Sequence, residues 1–259
     1  MAGLPFRSAL VTGASSGIGE AIARELGAAG VPTVLVARRG DRLAELAAAY
    51  EGFEVLVADL TTEAGREATA ARIEDLERPV DLVVNNAGFG TSGWFHELDP
   101  ARLGDEVMLN VLALTRLSRA ALGVMVPRRR GYLLNVSSVA GFQPAPRLAV
   151  YAATKAFVTS LGESLHEEVR ASGVHVTTLC PGLTRTEFQS VSNTEAYQTQ
   201  FPAFAWMTAE QVARAGLADV ARGRALSVPG AIYKGLVAVS QVTPNALARR
   251  AGALVMGRR

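Results

Sequence analysis

Short apolar runs alternate with amphipathic stretches along most of the chain. Ala9-Leu10-Val11, Val34–Ala37, Val55–Ala58, Leu82-Val83-Val84, Tyr132–Val136 and Val174–Leu179 are near-continuous apolar segments. They are too short for helices and show little polar alternation, so they predict strands covered on both faces. Between them lie helical patterns at Glu20–Ala29, with Ala21, Ile22 and Leu26 on one face, at Asp41–Tyr50, where Asp41 suits the first turn, and at Thr62–Leu76. A long helix is predicted over Leu98–Val126, with Pro100 near its start and Pro127 at its end, then others at Tyr151–Ala171 and near Ala209–Ala221. Strands alternating with helices predict an α/β fold, a doubly wound parallel sheet with helices on both faces. Ligands of such sheets bind beyond the carboxyl ends of the strands.

The 259 residues contain no Pro/Ser-rich linker or composition break, so a single domain over 1–259 is expected. The net charge of +2 and the scattered arginines give no basic stripe, which argues against a nucleic-acid partner. The one cysteine, Cys180, has no intrachain disulfide partner and reads as a small buried apolar residue. That fits a reducing compartment and a cytoplasmic location. The first strand begins by Ser8, which leaves no room for a signal peptide, and no apolar run reaches the ~18 residues of a membrane span. His96, His166 and His175 are too scattered for a zinc site, so no metal is expected.

Thr12-Gly13-Ala14-Ser15-Ser16-Gly17-Ile18-Gly19 follows the first strand and opens the first helix. Gly13 permits a tight turn there, while Gly17 and Gly19 permit close backbone approach and helix–strand packing. Free N–H groups at the helix start then suit a pyrophosphate. The absence of Lys-Ser/Thr after the loop argues against a nucleoside triphosphate site. Further on, Tyr151 and Lys155 stand four apart in a predicted helix and share a face. A cation beside a phenol favours its anion, so a lowered pKa is expected for Tyr151, as acid–base work on a carbonyl or alcohol requires.

These features, with Asn85-Asn86-Ala87-Gly88, Asn110, Ser138 and Pro181-Gly182 in order and register, resemble a short-chain dehydrogenase/reductase of the compact single-domain branch. The resemblance covers roughly 8–186 and implies a Rossmann-type sheet and a nicotinamide cofactor. By resemblance, Ser138 bonds the substrate oxygen, with Ser137 its rival. Tyr151 exchanges the proton, Lys155 binds ribose hydroxyls and lowers the pKa of Tyr151, and Asn110 kinks its helix and holds a water leading to Lys155. Gly13, Ser15, Ser16, Gly17, Ile18 and Gly19 form the pyrophosphate loop. Asp59 and Leu60 meet the adenine, and Asn86, Ala87, Gly88, Pro181, Gly182 and Thr186 flank the rest of the cofactor. The second strand ends in Ala37 rather than a carboxylate and is followed by Arg38 and Arg39. Guanidinium forks suit a 2′-phosphate, which favours NADP(H) over NAD(H).

Phe188, Tyr197, Phe201, Phe204, Trp206 and Met207 make an aromatic-rich stretch in the region where the family carries a substrate lid, here 186–222. Trp94 and Phe95 are expected to line the same cleft. An apolar lid suggests a bulky apolar carbonyl or alcohol. The tail 230–259 lacks the carboxyl-terminal strand motif of tetrameric members, so a homodimer through the helices 98–126 and 151–171 is expected instead. Asn245–Arg259 reads as a terminal helix, with a membrane-surface contact as the alternative. The Arg128-Arg129-Arg130 run is assigned no partner. A non-catalytic dinucleotide-binding sensor is the rival function, but it would be expected to lose Ser138, Tyr151 or Lys155. A sugar-nucleotide epimerase would carry a G-x-x-G-x-x-G loop and a larger carboxyl lobe.

Overall fold

The computed structural model describes residues 4–194 and 201–243. Among the described residues, seven strands form one sheet in which every neighbouring pair is parallel. They are β1 (Ala9–Thr12), β2 (Thr33–Ala37), β3 (Glu54–Val57), β4 (Leu82–Asn85), β5 (Gly131–Val136), β6 (Val174–Leu179) and β9 (Leu226–Ser227), in the order β3-β2-β1-β4-β5-β6-β9. A two-residue pair, β7 (Thr184–Arg185) with β8 (Met207–Thr208), stands apart from it. The strand order reverses between β1 and β4, and the crevice that opens there is where such sheets bind ligands.

Alternate residues along the strands feed two cores. Val11, Leu35, Val84, Leu134 and Leu179 pack on one side with α1 (Gly17–Ala28), α2 (Gly40–Ala48) and α8 (Ala209–Ala221). Leu10, Val34, Val83, Leu133 and Val176 pack on the other with α3 (Glu63–Glu74), α5 (Leu114–Met125) and the end of α6 (Ala149–Glu168). This two-sided burial is what the unbroken apolar runs require. β3 is the exception: Val55 and Val57 are exposed because it is an edge strand.

Three departures from the sequence reading have local causes. The first helix begins at Gly17, not Glu20, because the last residues of the glycine loop already form its first turn. The stretch read as one helix from Leu98 is α4 (Pro100–Val107), a wider-wound π segment at Met108–Ala113, and α5. Asp99 caps it, its side chain accepting from Ala101 N, and Pro100 occupies the first turn. The strand β9 was not anticipated; its two residues pair with Thr178 and Leu179, and Val228-Pro229 ends it at once. The span Pro100–Met125 also meets the length and hydropathy of a membrane helix. Here Leu114, Leu117, Ala121 and Met125 are core residues against the sheet, so it is a core helix. α9 (Ala231–Val242) closes the described chain, and the segment Asn245–Arg259 lies outside the described residues.

The arginine run has an internal partner. Asp81 is buried at the amino end of β4, away from the cleft, and accepts from Arg128 Nη2 at 3.1 Å and from Arg130 Nη2 at 2.9 Å and Nε at 3.1 Å. The backbone N–H of Arg7 adds a fourth bond at 3.2 Å. This cluster ties the chain before β1 to the loop before β5. Removing the carboxylate strands two guanidinium groups that are themselves only partly exposed. We predict that Asp81→Ala lowers the unfolding free energy by ~2 kcal/mol, as measured by denaturant titration. A loss under ~0.5 kcal/mol would reduce the cluster to a surface ion pair.

Candidate active site

The carboxyl ends of the strands open into a cleft of about 840 Å³. Of the predicted site residues, Gly13, Ser15, Ser16, Gly17, Ile18, Arg38, Arg39, Asp59, Leu60, Asn86, Ala87, Gly88, Ser138, Tyr151, Lys155, Pro181, Gly182 and Thr186 all line it. Gly19 and Asn110 do not; both sit just behind the wall.

The glycine loop is shaped for close approach. Gly13 and Gly17 have φ of 67° and 59°, conformations that favour glycine. A Cβ at Gly13 would stand 2.7 Å from Asn86 Nδ2, and one at Gly19 would strike the Gly13 carbonyl. The loop is pinned to β4 by hydrogen bonds: Thr12 Oγ1 accepts from Asn86 N and Ala87 N, each at 3.0 Å, and Asn86 Nδ2 donates to Thr12 O at 2.9 Å. Asn86 therefore spends its side chain on the loop and meets the cleft only at its edge. The bare backbone at the start of α1, with glycines where side chains would block approach, fits a pyrophosphate.

At one end of the cleft the arginines differ. Arg38 is largely exposed, 3.9 Å from Asp59. Arg39 bonds Ser15 through Nε at 3.2 Å and meets Glu187 through Nη1 at 2.9 Å; Arg42 approaches the same Glu187 at 3.5 Å. The Arg39 hydrogen bond is the main cause holding the Glu187 carboxyl below its usual range. For Asp59, burial pushes upward, but two hydrogen bonds from Thr61 and the Arg38 charge prevail and hold it low. Asp59 thus organises the turn before α3, while Thr62 is the cap, accepting from Gly65 N.

At the other end stand the predicted catalytic residues. Ser137 and Ser138 part company: the Ser137 hydroxyl donates to Lys155 O at 2.7 Å and meets Thr159 Oγ1 at 2.8 Å, inside the core. Ser138 begins the turn Val139–Phe142, and its hydroxyl faces Tyr151. Lys155 is buried, its Nζ donating to Val136 O at 2.8 Å and lying 5.7 Å from the centre of the Tyr151 ring. Asn110 sits in the π segment, a feature frequent at functional sites. Its side chain accepts from Phe89 N at 3.1 Å and donates to Phe89 O at 2.8 Å and to Thr154 Oγ1 at 3.1 Å. Thr154 in turn bonds Tyr151 O at 2.8 Å, so Asn110 braces the turn that carries Tyr151.

The expected lowering of the Tyr151 pKa is not what this geometry produces. Burial pushes the phenol up to about 12, with the Ser138 hydrogen bond opposing it. Burial likewise pushes Lys155 down to about 8. The ammonium is turned to the Val136 carbonyl rather than to the phenol oxygen, so desolvation outweighs attraction. Tyr151 is accordingly a protonated phenol at neutral pH. Cys180 is buried, its thiol pushed up to about 12 by burial, as a small core residue should be.

The apolar wall departs from the predicted lid. Phe188, on α7 (Phe188–Val191), stacks against Tyr151 with ring centres 5.3 Å apart. Further apolar surface comes from Phe89, Leu148, Leu183, Val191 and Tyr233, among others. Phe201, Phe204, Trp206 and Met207 do not line the cleft; Phe204 is exposed, and Met207 packs with Cys180, Val228 and Tyr233. Trp94 and Phe95 lie outside it too, Trp94 beneath the Arg147 guanidinium at 5.7 Å and Phe95 exposed. Tyr197 falls outside the described residues. Two residues escaped the sequence reading. Tyr233 of α9 reaches back so that its hydroxyl accepts from Leu183 N at 3.0 Å. Glu106 of α4 is wholly buried, on a helix packed against α6. No sequence signal marks Tyr233, whereas Glu106 could have been noticed as an acid one turn before Asn110.

The family profile described as short chain dehydrogenase matches residues 7–196. A short-chain dehydrogenase from Sphingobium yanoikuyae, solved in complex with NADPH, superposes with a TM-score of 0.82 at 33% identity, over 90% of this chain and 93% of that one. The bulky-bulky ketone specific alcohol dehydrogenase from Comamonas testosteroni gives a TM-score of 0.78 at 30% identity, over 98% and 95%. The very-long-chain 3-oxoacyl-CoA reductase of Bos taurus is 33% identical over 192 residues, 71% of this chain and 61% of that protein. With the profile spanning most of the sheet and the solved relatives sharing its full architecture, the chain belongs to the short-chain dehydrogenase/reductase family of oxidoreductases.

Proposed function

We propose that the protein is an NADP(H)-dependent oxidoreductase interconverting a carbonyl and a secondary alcohol, with Tyr151 as the acid–base group. The observation that carries this reading is the convergence of Ser138, Tyr151 and Lys155 in the cleft whose other end holds Arg38 and Arg39. A bound nicotinamide supplies or accepts the hydride. Tyr151, protonated at neutral pH, gives its proton to the substrate oxygen in reduction and recovers it in oxidation. Ser138 places a hydroxyl beside that oxygen and stabilises its developing charge. Lys155 and Asn110 fix the turn of α6 and the local charge. β2 ends in Ala37, so no carboxylate at that position repels a 2′-phosphate, and the exposed Arg38 fork, held to Asp59 only at 3.9 Å, can turn to meet one. The NADPH-bound relative supports this choice of cofactor. The wall of Phe89, Leu148, Leu183, Phe188 and Tyr233 supports a bulky apolar substrate, as does the likeness to a bulky-ketone enzyme.

The protein is further read as a cytoplasmic homodimer. The outer faces of the long helices expose Val107, Leu112 and Phe157, an apolar set suited to a second copy. Phe157→Arg is expected to convert the dimer to a monomer in light scattering; a monomeric parent, or a variant that stays dimeric, refutes the interface.

Tyr151→Phe is expected to lower kcat by ~10³-fold across a ketone panel while NADPH affinity stays within ~3-fold. Turnover near the parent's would rule out the mechanism. Arg38→Asp should shift the NADPH/NADH ratio of kcat/KM by at least ~10-fold toward NADH, the worth of one charge-assisted bond. An unchanged ratio would remove the phosphate role of Arg38.

A further inference from the structure

Glu106 differs from every other buried acid described here. It is fully buried on α4, and neither carboxylate oxygen meets a hydrogen-bond donor at ordinary geometry among the described residues. Asp81 shows how a structural acid is kept in the same chain, with two arginines and a backbone N–H around it. Glu106 has none of these, and a packing role at that position would be served by a Met or Leu of similar size. An unpaired carboxylate out of water is strongly disfavoured unless a nearby charge compensates it.

The surroundings supply two such charges, Arg102 and Lys155. Glu106 lies one helical turn before Asn110, and α4 packs on α6, the helix of Tyr151 and Lys155. On its own helix Arg102 favours the ionised carboxyl from one side, its guanidinium also donating to Val191 O and lying 4.9 Å over the Phe89 ring. From the segment after β4 comes the buried Thr91 hydroxyl, which faces the Glu106 carboxyl and favours its ionised form. From α6 come the Tyr151 phenol and the Lys155 ammonium, and Cys180 adjoins that pair as a neutral thiol. Lys155 has three donors and spends one on Val136 O. The charge of Glu106 acts on both Lys155 and Tyr151.

We propose that Glu106 is a positioning residue for the reaction: when ionised, it is the buried counter-charge that holds Lys155 as an ammonium beside Tyr151. The inference rests on the reading of Tyr151 and Lys155 as the reacting pair. No atom is transferred to substrate by Glu106; it acts through the charge of Lys155. Burial pushes its carboxyl up to about 7 and the amine down to about 8, so the two groups titrate in the same pH range. The two titrations are coupled.

The consequence is a dependence on pH that a packing role would not produce. In Glu106→Gln the amine loses its counter-charge and deprotonates at lower pH. The expected result with NADPH and a ketone substrate is kcat/KM within ~2-fold of the parent at pH 6 and ~10-fold lower at pH 8, with KM changed less than kcat. Glu106→Met should behave alike. Stability gives a second readout that needs no substrate. A carboxyl whose folded pKa is raised binds its proton more tightly folded than unfolded, so its contribution is full below the unfolded pKa and is lost as pH rises toward 7. The parent should therefore lose thermal midpoint relative to Glu106→Gln between pH 5 and pH 8. Parallel rate profiles for parent and variant, equal losses at pH 6 and pH 8, or failure of both variants to fold would each overturn the proposal. Turnover retained in Tyr151→Phe would instead overturn the reacting pair itself, so the two failures are told apart.

Discussion

A cation held out of water organises the Tyr151 end of the cleft. Lys155 brings an ammonium into the space between the end of β5 and α6, where solvation is lost and the charged form is disfavoured. A protein keeps such a charge only by placing acceptors and counter-charge around it. The Val136 carbonyl, free because the strand ends there, is the acceptor observed. Ser137, Thr159 and Thr154 tie the same helical turn to its surroundings by their hydroxyls. Tyr151, one turn earlier, is consequently fixed against Ser138 and Phe188.

The π segment is the matching adjustment on the neighbouring helix. A regular helix through Met108–Ala113 would present its residues at a constant pitch. The wider turn places Asn110 so that its amide satisfies both polar groups of Phe89 and reaches Thr154 as well. Gly88 makes this possible: a Cβ there would stand 2.8 Å from Asn110 Oδ1 and 3.6 Å from Lys155 Nζ. The backbone after β4 therefore approaches the Asn110 and Lys155 side chains at a point where it carries no side chain of its own.

Much of this was legible in the sequence, and the reasons are local. The glycine loop declares itself because its turn needs positive φ at Gly13 and Gly17, a demand that residue type meets directly. Tyr151 and Lys155 are related by helical pitch alone. Ser138 stands where β5 gives way to a turn, which short apolar runs reveal. Other features depend on contacts between distant segments. β9 is two residues long and exists only because β6 offers an edge. Tyr233 enters the cleft because α9 folds back over Gly182. Hydrophobicity marked the aromatics of 201–207 as candidates for burial but could not say against what, and Met207 went to the core while Phe204 stayed in solvent. Helical spacing set Lys155 beside Tyr151 and suggested attraction; only the degree of burial decides that desolvation prevails.

The two ends of the cleft share one segment. Glu187, which meets Arg39 and Arg42, directly precedes Phe188, which lies on the Tyr151 ring. Thr186, just before them, faces the glycine loop, where a Cβ on Gly17 would stand 3.1 Å from its own. Gln189 anchors the segment from beneath, donating to Thr184 O at 3.0 Å and accepting from Thr186 N at 3.3 Å. Three consecutive residues thus touch the glycine loop, the arginine pair and the Tyr151 ring in turn. A shift of this short stretch cannot alter the arginine end without also moving the ring against Tyr151, because helix α7 is a single turn with no slack between Glu187 and Phe188. The arginine end of the cleft and the Tyr151 end are therefore joined by covalent adjacency.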